Sequence, residues 1–126
     1  MSTSRIVAYW ILHLTLVFII IKVFNLDLMG SFVALIGGTI IDVDHLPYIK
    51  KHSLSGYLYL RTTLKKHKRY ILHNVFTIII CAALSLFILS AWSFYLGIFF
   101  ISILAHLLLD IFLDLKVYNL DTEEWL

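Results

Sequence analysis

Four runs of apolar residues constrain the fold of this chain more than any other feature of its sequence. They cover approximately residues 5–24, 28–45, 70–90 and 94–115 of the 126. Because a helix needs roughly 20 apolar residues to cross a hydrocarbon core about 30 Å thick, a chain of this length has room for about four spans and little else. We therefore predict an all-α integral membrane protein, a bundle of about four transmembrane helices forming a single domain over residues 1–126.

The composition excludes several other classes of protein. The chain is 61% hydrophobic and only 14% charged, far from the values of soluble globular domains. Its single cysteine, Cys81, lies in an apolar run, so the chain supplies neither a disulfide nor a thiolate zinc site, and we expect Cys81 to pack in the core. A formal charge of +2 is too small to indicate a nucleic-acid partner. No signal-peptide cleavage pattern follows the first run, so we expect it to be retained as a helix.

The basic residues predict the orientation of the bundle. Seven of the ten lysines and arginines fall in the segment 46–69, where Pro47 breaks the second helix. Under the positive-inside rule this loop and both termini lie in the cytoplasm, with the protein in a plasma or inner membrane; Lys22 alone disagrees. The loop either lies on anionic lipid headgroups or only sets the topology, and the sequence leaves both interpretations open.

Ionisable residues interrupt the apolar runs. Each predicted helix carries at least one in its cytoplasmic half: His13; Asp42, Asp44 and His45; His73; and His106, Asp110 and Asp114. Residues four apart in a helix share a face, so the polar residues of the fourth helix, from Ser102 to Asp114, form one stripe. That stripe must face the interior of the bundle, where the topology also brings the other groups.

A divalent cation would offset the cost of these carboxylates. Insertion scales assign roughly 2.5–3.5 kcal/mol to an aspartate at the membrane centre, so four of them cost about 10–14 kcal/mol, and less near the interface. Ionised side chains gathered at one depth also repel each other, and a cation reverses that penalty. Mixed imidazole and carboxylate ligands fit zinc, manganese or iron better than calcium or copper(I). We predict a divalent metal site, with zinc as the first choice and manganese as the alternative.

The residues proposed for this site differ in how strongly the sequence supports them. Its principal candidates are Asp42, His73, His106 and Asp110. His45 shares a face with Asp42 if the second helix reaches it. Six further residues are open to two interpretations: His13, Thr39, Asp44, Asn74, Ser102 and Asp114. Each is either a metal ligand or a support of one, or it is a packing, hydrogen-bonding or solvated group. We expect His52 and His67 to be exposed in the basic loop.

The same elements resemble a known family. The segment Gly37–His45, the basic stretch leading to His73, and the pair His106 and Asp110 resemble the YdjM-like, LexA-regulated family of predicted membrane-bound metal-dependent hydrolases. That family is similar in motif order to zinc-dependent phospholipase C and the P1-type nucleases. The resemblance implies a hydrolase of phosphodiester or phospholipid-like substrates. It also implies these metal ligands, with Asp44 and His45 beside them: His13, Asp42, His73, His106 and Asp110.

Within this interpretation, Asp44 would be the general base, and Lys68 or Arg69 would hold the substrate phosphate at the surface of the membrane lipid. A metal-ion carrier or channel is a rival, but it needs polar positions through the outer halves of the spans, where only Ser85, Ser90 and Lys22 occur. A second rival is a non-catalytic protein whose helices the metal clamps together. The sequence leaves the oligomeric state open.

Overall fold

The computed structural model describes residues 3–47, 49–51, 72–91 and 93–117, with the backbone alone for some of them, including Asp44. The chain forms helices α1 (Thr3–Val23), α2 (Leu28–Ile40), α3 (Val75–Ala91) and α4 (Phe94–Phe112). A 3₁₀ turn, Ile41–His45, follows α2, and a π-helical turn, Leu113–Val117, follows α4. The described residues contain no strand, so the predicted all-α class is confirmed for them.

Side-chain caps determine where two of the helices begin. Asp27 caps α2, because its Oδ1 accepts from the Gly30 backbone N–H at 2.7 Å. Asn74 Oδ1 likewise accepts from the Thr77 N–H at 2.8 Å, and α3 starts at Val75. The prediction of a third helix from residue 70 was therefore wrong at its start, since residues 72–74 are bends. The second helix also ends as an α-helix at Ile40 and reaches His45 only as the 3₁₀ turn.

Helix α4 lies at the centre of the packing. It packs against α1, α2 and α3, and α1 also packs against α2. One buried cluster joins the 3₁₀ turn, α3 and α4: Ile41, Cys81, Ile103 and Leu107. Another joins α1, α2 and α4: Val17, Ile20, Ala34 and Ile98. The expected packing of Cys81 in the core is thus confirmed, and the two clusters lie on different sides of α4, since Leu107 is half a turn of the helix away from Ile98.

Two glycines bring α2 close to its neighbours. A Cβ on Gly37 would lie 2.5 Å from the Phe99 carbonyl oxygen of α4, and one on Gly38 would lie 2.6 Å from Val17 Cγ2 of α1. Neither distance is compatible with a side chain unless a neighbour moves. The last turn of α2 is therefore held against α1 and α4 together.

Among the described residues, one stretch, Phe94–Leu115, is long and apolar enough to cross a membrane. The other apolar helical stretches are shorter: Trp10–Val23, Leu28–Val43 and Val75–Ile88. At one end of the bundle, the Tyr95 hydroxyl at the start of α4 donates to Asp27 Oδ2, just before α2, at 2.6 Å. We call this the Asp27 end. The opposite end contains the end of α2 and the beginning of α3.

Candidate metal centre

Six ionisable side chains converge at the end of the bundle opposite Asp27. They come from α1, the 3₁₀ turn, the residue two before α3, and α4: His13, Asp42, His45, His73, His106 and Asp110. Five of them are buried, and Asp42 is partly exposed. The convergence predicted from the topology is therefore present among the described residues.

Asp110 contacts three histidines. Its Oδ1 lies 3.2 Å from His13 Nε2, and its Oδ2 lies 3.2 Å from His73 Nε2 and 3.4 Å from His106 Nε2. The residue is 0% exposed. An ionised carboxylate so far from water is costly unless charge or hydrogen bonds compensate it. Asp110 is therefore both the most deeply buried charge of the cluster and the group that links its helices.

Asp42 faces the same histidines from the 3₁₀ turn. Its Oδ1 lies 3.3 Å from His106 Nε2, 3.6 Å from His45 Nε2 and 3.8 Å from His73 Nε2. Its side chain is 18% exposed, against 7% or less for those three histidines. Asp42 therefore lies where the cluster is most open to its surroundings.

A hydrogen bond to α2 defines the protonation of His106. Its Nδ1 lies 2.7 Å from the Gly38 carbonyl oxygen, and because a carbonyl can only accept, Nδ1 carries the proton. In the neutral ring Nε2 then presents a lone pair, and this atom lies between Asp42 and Asp110. Metal-binding histidines are commonly oriented in this way, by a carbonyl on the nitrogen that does not bind the metal.

The end of α2 explains why that carbonyl is available. The last four carbonyl groups of an α-helix have no partner within the helix, and Gly38 lies in the last turn of Leu28–Ile40. His106 supplies the missing donor from α4. The close approach that Gly37 and Gly38 permit is what places the carbonyl within reach of the ring.

The imidazole rings pack against one another. The ring centroids of His13 and His106 are 4.3 Å apart, and those of His45 and His73 are also 4.3 Å apart with their planes 27° from parallel. These contacts restrict rotation of the rings, so the nitrogens that face the carboxylates have little freedom to turn away.

The arrangement fits a metal ion by distance and by donor type. Two overlapping groups, each with its donor atoms within 4.8 Å of one another, share Asp110: Asp42, His45, His73 and Asp110; and His13, His106 and Asp110. Ligands bound at about 2.0–2.1 Å to a tetrahedral ion lie about 3.4 Å apart, close to the nitrogen–oxygen distances found here. Two buried atoms that face each other, Asp42 Oδ1 and His106 Nε2, make no hydrogen bond within the described part of the chain.

The remaining predicted residues have varied outcomes. Asp44 lies in the 3₁₀ turn, but its side chain is not described, and Lys68, Arg69, His52 and His67 fall outside the described residues. The stripe from Ser102 to Asp114 is buried as predicted, so a solvated Asp114, 1% exposed, was the wrong alternative. The hydroxyls of Thr39 and Ser102 donate within their own helices, to Leu35 and Ile98 at 2.9 Å, in agreement with a packing role.

The role of the Gly38 carbonyl was not predicted from the sequence. The signal for it was present, because two adjacent glycines near the end of a short helix indicate both a close approach and free carbonyl groups.

Comparison with known proteins adds no assignment. No family model matches the chain, and no curated protein or solved structure matches it significantly.

Proposed function

We propose that this chain is a membrane-embedded, metal-dependent hydrolase of phosphate esters, of the phosphodiester or phospholipid type, with zinc or manganese in the His/Asp cluster. The observation that carries the proposal is the position of His106 Nε2, which faces Asp42 and Asp110 at 3.3 and 3.4 Å while Nδ1 is committed to Gly38. A lone pair and two carboxylates so close together require a positive charge between them.

Protonation of one imidazole ring would supply only part of this positive charge. Asp110 also faces His13 and His73, and Asp42 also faces His45. A divalent cation offsets the repulsion among several of these atoms at once, and carboxylate and imidazole donors together suit zinc or manganese. Asp110 belongs to both groups of candidate ligands, so it would help to hold an ion in either of them.

The length of α2 supports a position for the cluster within the membrane. Its 13 residues extend about 20 Å. With the Asp27 end at the outer surface, the cluster lies about 20 Å across a hydrocarbon core of about 30 Å, in the half that the basic segment 46–69 marks as cytoplasmic. We accordingly propose that all four helices lie in the membrane, that α2 ends and α3 begins near the site, and that both termini lie in the cytoplasm.

A metal bound at this site would acidify a coordinated water and polarise a phosphoryl oxygen. The side chains of this protein would position the ion, the base and the substrate. His106, oriented by Gly38, and Asp110 would hold the ion, and the more exposed Asp42 marks the side from which a substrate would enter. Asp44 is the proposed base, and Lys68 or Arg69 binds the phosphate.

Two rivals account for the cluster without hydrolysis. A metal carrier needs polar groups along the rest of the bundle, but the hydroxyls of Ser85 and Ser102 donate to carbonyls of their own helices. A structural clamp needs only the metal, and it differs from an enzyme in showing no hydrolysis when loaded.

The test begins with metal content. We expect the purified protein to contain stoichiometric zinc or manganese by elemental mass spectrometry, and Asp110→Asn, which keeps the size of the side chain, to lower metal affinity by at least about 100-fold. Asp27→Asn is the matched control, because the same substitution at the other end should leave the metal content unchanged. Folded native protein without metal would contradict the proposal.

The second step separates enzyme from clamp and carrier. The metal-loaded protein should hydrolyse a soluble phosphodiester such as ethyl p-nitrophenyl phosphate, and Asp110→Asn should not. Metal binding with no hydrolysis would favour the clamp. Uptake of metal into vesicles at a rate abolished by Asp110→Asn would favour the carrier.

A further inference from the structure

The four histidines of the candidate metal centre form two pairs. The ring centroids of His13 and His106 are 4.3 Å apart, and those of His45 and His73 are also 4.3 Å apart. The rings of His73 and His106, one from each pair, are 5.9 Å apart. The His13–His106 pair joins α1 to α4, and the His45–His73 pair joins the 3₁₀ turn to the chain just before α3. The fold itself thus divides the histidines into two sets.

Both carboxylates of the cluster contact both pairs. Asp110 Oδ1 lies 3.2 Å from His13 Nε2, and Oδ2 lies 3.4 Å from His106 Nε2 of the same pair. Asp110 Oδ2 also lies 3.2 Å from His73 Nε2 of the other pair. Asp42 Oδ1 lies 3.3 Å from His106 Nε2 and 3.6–3.8 Å from both members of the His45–His73 pair. The two aspartates therefore lie between the pairs, and neither belongs to one pair alone.

Six side chains are more than one ion can use in this arrangement. A tetrahedral zinc ion takes four ligands, so it would leave two of the six unbound. An octahedral ion takes six, but its opposite ligands lie only about 4.2 Å apart, twice a bond length of about 2.1 Å. Even with a limit of 4.8 Å between donor atoms, the six side chains separate into two groups: the His13–His106 pair with Asp110, and the His45–His73 pair with Asp42 and Asp110. Each group is large enough to hold an ion.

The position of the aspartates suits carboxylates shared between two cations. An ionised carboxylate has two oxygens with about four lone-pair sites, so it can accept from two sides at once. Asp110 is 0% exposed, and water therefore does not compensate its charge. Paired ions in two-metal sites lie about 3.5–4 Å apart, similar to the distances between the donor atoms in this cluster.

From this division we infer that the cluster binds two metal ions that share its carboxylates. The His13–His106 pair holds one ion, the His45–His73 pair holds the other, and Asp42 and Asp110 lie between them. The inference rests on the metal-binding part of the proposed function, and it adds the number of ions and the division of their ligands. It also supports the proposed substrate class, because paired ions are a common means of stabilising the attacking and leaving oxygens of a phosphate ester.

Matched substitutions in the two pairs test the inference. His13→Gln and His45→Gln each remove one imidazole and keep a polar side chain, one in each pair. Native protein loaded with manganese and freed of excess metal should retain two ions per chain by elemental mass spectrometry, and each variant should retain one. Asp110→Asn, which changes a shared carboxylate, should retain neither. Asp27→Asn, the same substitution at the opposite end of the bundle, should retain both.

Electron paramagnetic resonance of the same samples distinguishes two ions that share carboxylates from two distant ions. The native protein should give the signal of two coupled Mn²⁺ ions, and the two histidine variants should give the signal of isolated Mn²⁺. A substitution that only loosened the helices would not convert one signal into the other while half of the metal is retained. If a variant does not fold, as judged by thermal unfolding, the other histidine of its pair is substituted instead.

The outcomes separate this inference from the proposed hydrolase. Two coupled ions in the native protein and one isolated ion in each histidine variant support the two-ion centre. A single ion in the native protein, or two ions without coupling, overturns the shared centre and leaves the hydrolase standing. Loss of both ions from each folded histidine variant, or retention of both, overturns the division into pairs. Folded native protein that binds no metal overturns the two-ion centre and the hydrolase together.

Discussion

The two ends of α2 place carboxylates in opposite electrostatic settings. At the first end, Asp27 accepts hydrogen bonds from the Gly30 N–H at 2.7 Å and the Tyr95 hydroxyl at 2.6 Å. Just beyond the other end, Asp42 Oδ1 faces imidazole nitrogens at 3.3–3.8 Å, one of which, His106 Nε2, presents a lone pair in its neutral form. The protein's own donors satisfy the Asp27 carboxylate. Asp42 Oδ1, in contrast, has no hydrogen-bond donor within the described part of the chain.

This difference sets the two carboxylates apart in the counter-charge that they need. Hydrogen bonds from Tyr95 and Gly30 hold the pKa of Asp27 below its ordinary value, so its negative charge is stabilised without any ligand. Asp42 has packed histidines around it instead of a full set of donors. Its charge is compensated only when a proton or a cation joins the cluster. Each prediction below changes one end of α2 and leaves the other intact.

Metal removal should have the largest effect. A ligand at 100 to 1,000 times its dissociation constant stabilises a fold by about 2.7–4.1 kcal/mol, so chelation should lower the Tm of the native protein by several degrees. Asp27→Asn should keep this response to a chelator, and Asp110→Asn should lose it. Differential scanning fluorimetry in detergent measures all three. Equal responses from the two variants would contradict the distinction between the ends.

The two ends of α2 also show which features of the fold and of the candidate site could be predicted from the sequence. Hydrophobic runs and residue spacing correctly predicted the helical class, the buried stripe through His106 and Asp110, and the participation of four chain segments. The first two features follow from residue spacing, which is a local property of the sequence, and the third follows from the order of the helices along the chain. The start of α3 was misplaced because the Asn74 cap was overlooked, although asparagine before an apolar run is a recognised helix-start signal.

Other features depend on contacts between distant segments. The hydrogen bond of His106 to Gly38 and that of Tyr95 to Asp27 each join residues 68 apart in the chain. No local pattern specifies such pairs, because they follow from how deeply α2 lies against α4. The sequence could indicate that the glycines permit a close approach, but not which carbonyl it would present to which ring.

A methyl group at Gly37 should have the next largest effect. Its Cβ would meet the backbone of Phe99 at 2.5 Å, so Gly37→Ala forces α2 and α4 apart and should cost about 2 kcal/mol. Displacing α2 also moves Gly38 from His106, so metal affinity should fall. Thermal unfolding and metal titration of the same sample measure both effects.

Gly30→Ala is the control at the Asp27 end. Its Cβ would lie 3.1 Å from Asp27 Oδ1 and 3.2 Å from Leu26 Cβ, so a shift of a few tenths of an ångström relieves the contact. Alanine also favours a helix over glycine by up to about 1 kcal/mol. We expect near-neutral stability and unchanged metal binding. A larger loss than in Gly37→Ala would show that the Asp27 end is the less tolerant of the two.

Substitution should separate the roles of the two ring nitrogens of His106. The variant His106→Asn would place a side-chain amide N–H near the position of Nδ1, so the hydrogen bond to Gly38 can be kept while the metal-facing Nε2 is lost. His106→Ala loses both and leaves a buried carbonyl unsatisfied, at a cost of about 1 kcal/mol more. In metal-free buffer, His106→Asn should therefore unfold at the higher temperature. Equal unfolding temperatures would mean that the bond to Gly38 contributes nothing to stability.

The smallest effect should come from the Tyr95 hydroxyl and appear only in acid. Because the pKa of Asp27 in the folded protein lies below its ordinary 3.8, its contribution to stability is fully present above that value and is lost as the pH falls through the lowered pKa. Tyr95→Phe keeps the ring but removes the largest cause of this shift, so the variant should lose less stability than the native protein on acidification. Thermal unfolding of both across this range, with Asp27→Asn as the limiting case, measures the difference. Parallel curves for Tyr95→Phe and the native protein would show that the Tyr95–Asp27 bond is not maintained in solution, and the Asp27 end would then depend on the Gly30 cap alone.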